Sequence, residues 1–164
     1  MKNIIVNKMK KVLIALDYDP TAQKIAETGF SIAKAMGAET LLIHVISDPV
    51  YYSSTAYSPI MGFGGYTDLD FLESDVIDEL KKASEDFLDK SKKHLGDITI
   101  QTCVKEGDIA ESILEAAKEL KADIIVMGSH GRKWLEAIMI GSVTKKVLHH
   151  TSVPLFIIPT KKHN

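Results

Sequence analysis

Gly128-Ser129-His130-Gly131-Arg132 is separated by nine residues, counted from Arg132 to Ile140, from Gly141-Ser142. This is the segment of the sequence whose residue types and spacing suit an anion. Glycine allows the backbone to approach a ligand closely. Gly141-Ser142 opens a predicted helix, and a helix N-terminus offers N–H groups and the positive end of the dipole to a phosphate. Ser142 and Thr144 can add hydroxyl donors, and Arg132 can add a forked cation. The plainer alternative is that the glycines only make turns and Ser142 only caps its helix. The segment is neither a Walker A loop nor GxGxxG, because no Lys-Ser/Thr pair follows the glycines and the spacing differs.

Other side chains offer less. Asp17 closes an apolar run, where a carboxylate could meet ribose hydroxyls or help to orient a Mg2+ ion held mainly by phosphates. Its alternative is to cap the next helix, a role open to Asp19 as well. His130, inside the glycine loop, reads as a solvated side chain rather than a proton shuttle. His44 lies within an apolar run and reads as a core histidine. His149-His150 closes the last predicted helix, where positive charge suits the dipole. These scattered histidines do not make a metal site. Trp134, Leu135 and Ile138-Met139-Ile140 read as a small satellite core or a contact with a partner. Lys145 and Lys146 read as solvent-facing, as does the acidic stretch from Glu73 to Asp89. Cys103 is the one cysteine, which excludes an intramolecular disulfide framework, and it reads as a buried structural thiol.

The elements that must carry these residues follow from hydrophobic patterning. Apolar runs at 11–16, 41–46, 123–127 and 153–158 read as strands covered on both faces, and 98–104 alternates like a half-exposed strand. Helical periodicity fills 21–36, 70–94, 109–121 and 142–150. Gly37 stops the first helix, and Asp108 with Glu111 forms a capping pair for the third. Strand–helix alternation predicts right-handed crossovers and a parallel sheet. The fold class is therefore α/β, a single doubly wound domain. Ligands in such sheets bind beyond the carboxyl ends of the strands, where the strand order reverses. The stretch 47–69, rich in Tyr, Ser and Gly, fits neither pattern and reads as a lid or a partner-docking loop.

The length of 164 residues, with 45% hydrophobic and 26% charged residues, describes one globular domain. A net charge of −2 argues against general binding to nucleic acid or anionic membrane. No apolar stretch reaches the roughly 18 residues of a membrane span. The N-terminal apolar run is too short for a signal peptide, so the expected location is cytoplasmic. Residues 1–10 read as a flexible extension, 11–160 as the domain and 161–164 as a tail.

The glycine pattern, together with MKKVLIALDYD, LLIHVI and the run ADIIVMGSHGR…GSVTKKVLHHTSVPLFIIP, resembles the universal stress protein family in its ATP-binding subclass. The resemblance spans nearly the whole chain. It implies a five-stranded Rossmann-like sheet of order 3-2-1-4-5, of the adenine nucleotide alpha hydrolase type. It implies ATP or another adenine nucleotide as ligand, with Mg2+ held through the phosphates. It places Asp17 near ribose or phosphate and the backbone around Val45 at adenine. Met127, Gly128, Gly131, Arg132, Gly141, Ser142, Val143 and Thr144 are the remaining implied site residues. It also implies a homodimer formed through Pro154–Ile158. The function expected is a regulatory stress-response dimer with at most slow hydrolysis, its regulatory partner docking on 47–69. The alternatives are an ATPase or nucleotidyl transferase, although the HIGH and SGGxDS strings are absent, a nucleotide-free dimerisation scaffold, or a flavodoxin-like redox domain.

Overall fold

The computed structural model describes residues 9–47, 73–129 and 140–160, with side chains from residue 77 onward in the second stretch. In chain order the elements are β1 (Lys11–Ala15), α1 (Ala22–Met36), β2 (Glu39–Ile46), α2 (Glu73–Leu95), β3 (Gln101–Glu106), α3 (Ile109–Glu119), β4 (Ile124–Gly128), α4 (Ser142–His150) and β5 (Leu155–Ile158). The five strands form one parallel sheet in the order β3-β2-β1-β4-β5. The expected fold class and strand order are both observed. Strand order reverses between β1 and β4, where Leu13 lies opposite Leu41 on one side and Ile125 on the other.

Both faces of the sheet are buried, as the unbroken apolar runs require. Val12, Ile14, Leu42 and Val126 pack with Ile25, Ala26 and Ala33 of α1 and Leu88 of α2. Leu13, Leu41, Ile43 and Ile125 pack with Ile113, Ala116 and Ala117 of α3 and Val147 of α4. α1 lies very close to the sheet at Gly29. A Cβ there would sit 2.7 Å from Ile14 Cδ1 and 3.2 Å from Val126 Cγ1. The helix ends at Gly37, which takes the left-handed conformation at φ 61° and donates its N–H to Lys34 O.

The boundaries differ from expectation in instructive places. The alternating pattern from Ile98 onward suggests a strand, but β3 begins at Gln101 and Ile98 is 89% exposed. The cause is Asp97, whose Oδ1 accepts from both Thr99 N and Thr99 Oγ1 and fixes a turn there. Cys103, expected to be buried, is only partly so, because β3 is an edge strand. Burial still pushes its thiol pKa up. Residues 9 and 10, expected in a flexible extension, are held. Met9 packs on the core, and Lys10 N donates to Asp123 Oδ2 at 2.7 Å. Among the described residues no helix is long and apolar enough to cross a membrane.

Candidate functional site

The carboxyl ends of β1, β2, β3 and β4 open onto a cavity of about 640 Å³. That lies within the roughly 300–1,000 Å³ usual for small-molecule sites. It occupies the crevice where strand order reverses, as the topology demands. Its floor and walls are apolar: Ile25, Ile43, Val45, Ile109, Ile113 and Met127 all contribute. Two polar ends, linked where Lys146 of α4 meets Asp108, adjoin this slot.

One end is rich in donors. It is built from Gly128, at the tip of β4, and from Gly141, Ser142, Val143 and Thr144, at the start of α4. Gly141 is the N-cap residue of α4, with φ −66° and ψ 158°, and as a glycine it gives the helix no side-chain cap. Lys145 N reaches Gly141 O at 2.9 Å, so the intrahelical ladder begins there. Helix geometry leaves the N–H groups of Ser142, Val143 and Thr144 without carbonyl acceptors from the same helix. This end is rigidly held. Gly141 N donates to Ser129 O at 2.7 Å, and Ser129 N donates to Ile158 O at 2.8 Å. Thr144 Oγ1 donates to Gly128 O at 2.9 Å. Thr144 lines the cavity, yet its hydroxyl hydrogen is spent on the strand. Its visible work is to seat α4 against β4, which is a different role from the ligand donor expected of it.

The other end is rich in acceptors. Asp17, Asp19 and Asp108 line it. Asp17 Oδ1 accepts from Tyr18 N at 2.8 Å. Asp19 Oδ1 accepts from Thr21 N at 2.7 Å and from Thr21 Oγ1, so Asp19 rather than Asp17 organises the turn into α1. Asp108 caps α3 by accepting from Glu111 N at 2.9 Å. That hydrogen bond, and then Lys146, hold its carboxyl below the ordinary carboxylate range. Glu111 does not close the reciprocal half of a capping box. Its side chain meets Lys146 Nζ at 2.9 Å instead. Lys146, expected to face solvent, bridges Asp108 at 3.1 Å and Glu111, and so joins α4 to the start of α3. No Lys, Arg or His is among the described residues that line the cavity.

Of the expected site residues, the structure brings Asp17, Val45, Met127, Gly128, Gly141, Ser142, Val143 and Thr144 to one cavity. Gly131 and Arg132 lie outside the described residues, as do His130, Trp134, Leu135, Ile138 and Met139, and residues 48–69 of the aromatic-rich stretch. Sequence reasoning did not assign Asp19, Thr21, Ser47, Gly107 or Asp108 to the ligand site, and read Asp19 and Asp108 only as helix caps. Gly107, with φ +119°, makes the turn that places Asp108, and its N–H donates to Ile46 O at 2.9 Å. A Gly-Asp pair directly after a predicted strand and before a predicted helix was the signal for both. His44 is a core histidine, as expected. It is buried, with Nδ1 2.9 Å from Leu16 O and its ring edge-on to Tyr18.

Comparison with known proteins follows the same lines. The family model described as the universal stress protein family matches residues 8–159. Universal stress protein MJ0531 of Methanocaldococcus jannaschii is 30% identical over 158 residues, covering 95% of this chain and 85% of the relative. Universal stress protein MJ0577 of the same organism is 26% identical over 155 residues, 93% of this chain and 96% of the relative. The solved structure of MJ0577 superposes with a TM-score of 0.73 at 25% identity, over 96% of this chain and all of that one. A universal stress protein solved in complex with cAMP superposes at 0.64 with 20% identity, over 94% of this chain and all of that one. With the match running from residue 8 to residue 159 across the observed sheet, the chain belongs to the universal stress protein family.

Proposed function

We propose that this chain binds an adenine nucleotide, ATP in the first place, and acts as a regulatory stress-response protein. The observation that carries the proposal is one cavity that combines an apolar slot, a helix N-terminus opened by glycine and a wall of carboxylates. A phosphate suits the helix end, a flat apolar base suits the slot, and the ribose that joins them can offer its hydroxyls to the carboxylates. The solved relative in complex with cAMP supports an adenine ligand in this fold. Three carboxylates without a described lining cation also suit a phosphate chain accompanied by Mg2+. The phosphates would hold the metal, with Asp17 on the facing wall. Gly131 and Arg132 complete the proposed phosphate loop.

Hydrolysis in this reading is slow at most. The described lining residues include no histidine to act as base, and this reading gives Arg132 a phosphate-binding role. Occupancy, rather than turnover, is then the output. It would be read by a homodimer formed through Pro154–Ile158 and by a regulatory partner at 47–69.

The test is calorimetric titration of Mg-ATP into ligand-stripped protein, alongside Gly141→Asp. Gly141 has an ordinary φ of −66°, so its backbone conformation suits aspartate. A carboxylate at this position caps α4 and adds roughly a few tenths of a kcal/mol of stability. It also occupies the N–H groups that phosphate would use. The expected result is saturable binding near one nucleotide per subunit, abolished in a variant that melts no lower than the parent. Absence of binding by the parent protein, or full binding by Gly141→Asp, refutes the assignment.

A further inference from the structure

We propose that Asp108 is a specificity-determining residue of the cavity: its fixed negative charge admits a ligand hydroxyl beside the start of α4 and excludes a second phosphate there. The inference rests on the nucleotide reading above.

Asp108 lines the cavity and is held from two sides. Its Oδ1 takes Glu111 N at 2.9 Å and Lys146 Nζ at 3.1 Å. Lys146 stands one helical turn beyond Ser142 and so shares its face of α4. The carboxylate is therefore fixed within one side chain's reach of the helix end that would hold phosphate. A sugar joined to that phosphate comes next to Asp108. The charge balance at this corner is negative, because Lys146 is shared between Asp108 and Glu111, one cation between two anions. Asp17 and Asp19 add charge of the same sign to the cavity wall. A neutral hydroxyl finds an acceptor here. A phosphate on the same sugar meets repulsion with no described cation left over to offset it, which is discrimination by a built-in unfavourable contact. The ligand class is thus a nucleotide with one phosphate chain and an unphosphorylated ribose.

The experiment compares affinities, without Mg2+, for AMP, adenosine 3′,5′-bisphosphate and adenosine 2′,5′-bisphosphate. The proteins are the parent, Asp108→Asn and Lys146→Gln. Asparagine caps a helix as well as aspartate does, so α3 keeps its start and only the charge is lost. The readout is the ratio of AMP affinity to bisphosphate affinity, which cancels any general loss of binding. The parent should prefer AMP by at least about tenfold, and Asp108→Asn should lower that ratio by about tenfold. Lys146→Gln, which leaves both carboxylates uncompensated, should raise it. Added salt should narrow the ratio in the parent and have less effect in Asp108→Asn. An unchanged ratio in Asp108→Asn, or a parent that binds either bisphosphate as tightly as AMP, overturns the role of Asp108 while the nucleotide reading stands. A parent that binds no adenine nucleotide overturns both.

Discussion

Thr144 shows how a residue can line a site while its hydroxyl hydrogen is committed to the scaffold. Its hydroxyl, inside the core, donates to Gly128 O and so sets the distance between the end of β4 and the first turn of α4. Thr144→Val keeps the shape but leaves a buried carbonyl without its donor, a loss of about 1–3 kcal/mol. Thr144→Ser restores the hydroxyl and should recover most of that stability. If Thr144 seats the helix, nucleotide affinity falls in the valine variant and returns in the serine variant. Equal affinity in all three proteins would show that the bond does not position the site. From sequence, the threonine could be placed near the loop by its spacing from Gly141. Where its hydroxyl hydrogen goes depends on a carbonyl 16 residues away in the chain, which no local pattern encodes. The same holds for Lys146. Its neighbours in sequence suggest a solvated face, and its partners come from the start of a different helix.

Whole elements were more legible than their edges. Apolar runs too long to have one wet face required helices on both sides, and alternation of strand and helix required parallel pairing. Those arguments use many residues at once, so single exceptions do not disturb them. The start of β3 is decided by one residue, Asp97, whose side chain captures Thr99 before the strand can begin. The closeness of α1 to the sheet is likewise set by one residue. Gly29 reads in sequence as a weak helix former, about 1 kcal/mol worse than alanine. In the structure it is the point where the helix meets Ile14 and Val126. A β-branched side chain has nowhere to go there, since both neighbours are fully buried. Gly29→Val should therefore destabilise by about 2 kcal/mol, through overpacking that outweighs any gain in propensity. Chemical denaturation measures it, and a variant as stable as the parent would mean that α1 can shift outward without cost. Any outward shift of α1 would also move Ile25, which lines the cavity, so nucleotide affinity should fall in Gly29→Val.

At the scale of the molecule, the two edges of the sheet are not alike. The β3 edge is guarded by charge. Lys105 pairs with Glu119 at 2.6 Å, and Glu106 pairs with Lys81 at 2.7 Å. Charged side chains on an edge strand discourage pairing with another chain. The β5 edge, Leu155–Ile158, has the sequence LFII and carries no charge at all. Among the described residues it pairs with β4 alone, and Phe156 is 48% exposed. An unguarded apolar edge is either an aggregation hazard or an interface. The proposed dimer makes it an interface in which Phe156 leaves water. Ile158 O also accepts from Ser129 N, so a partner on this strand adjoins the base of the glycine loop. Analytical ultracentrifugation should find the parent at twice its chain mass of 18.1 kDa. Phe156→Lys, a guard of the kind that β3 already has, should sediment as a monomer with unchanged secondary structure. Because no residue of β5 is among those that line the cavity, that monomer should still bind nucleotide at one per subunit. A parent that sediments as a monomer, or a lysine variant that remains dimeric, would remove β5 as the interface. The absence of charge along this edge would then need another explanation.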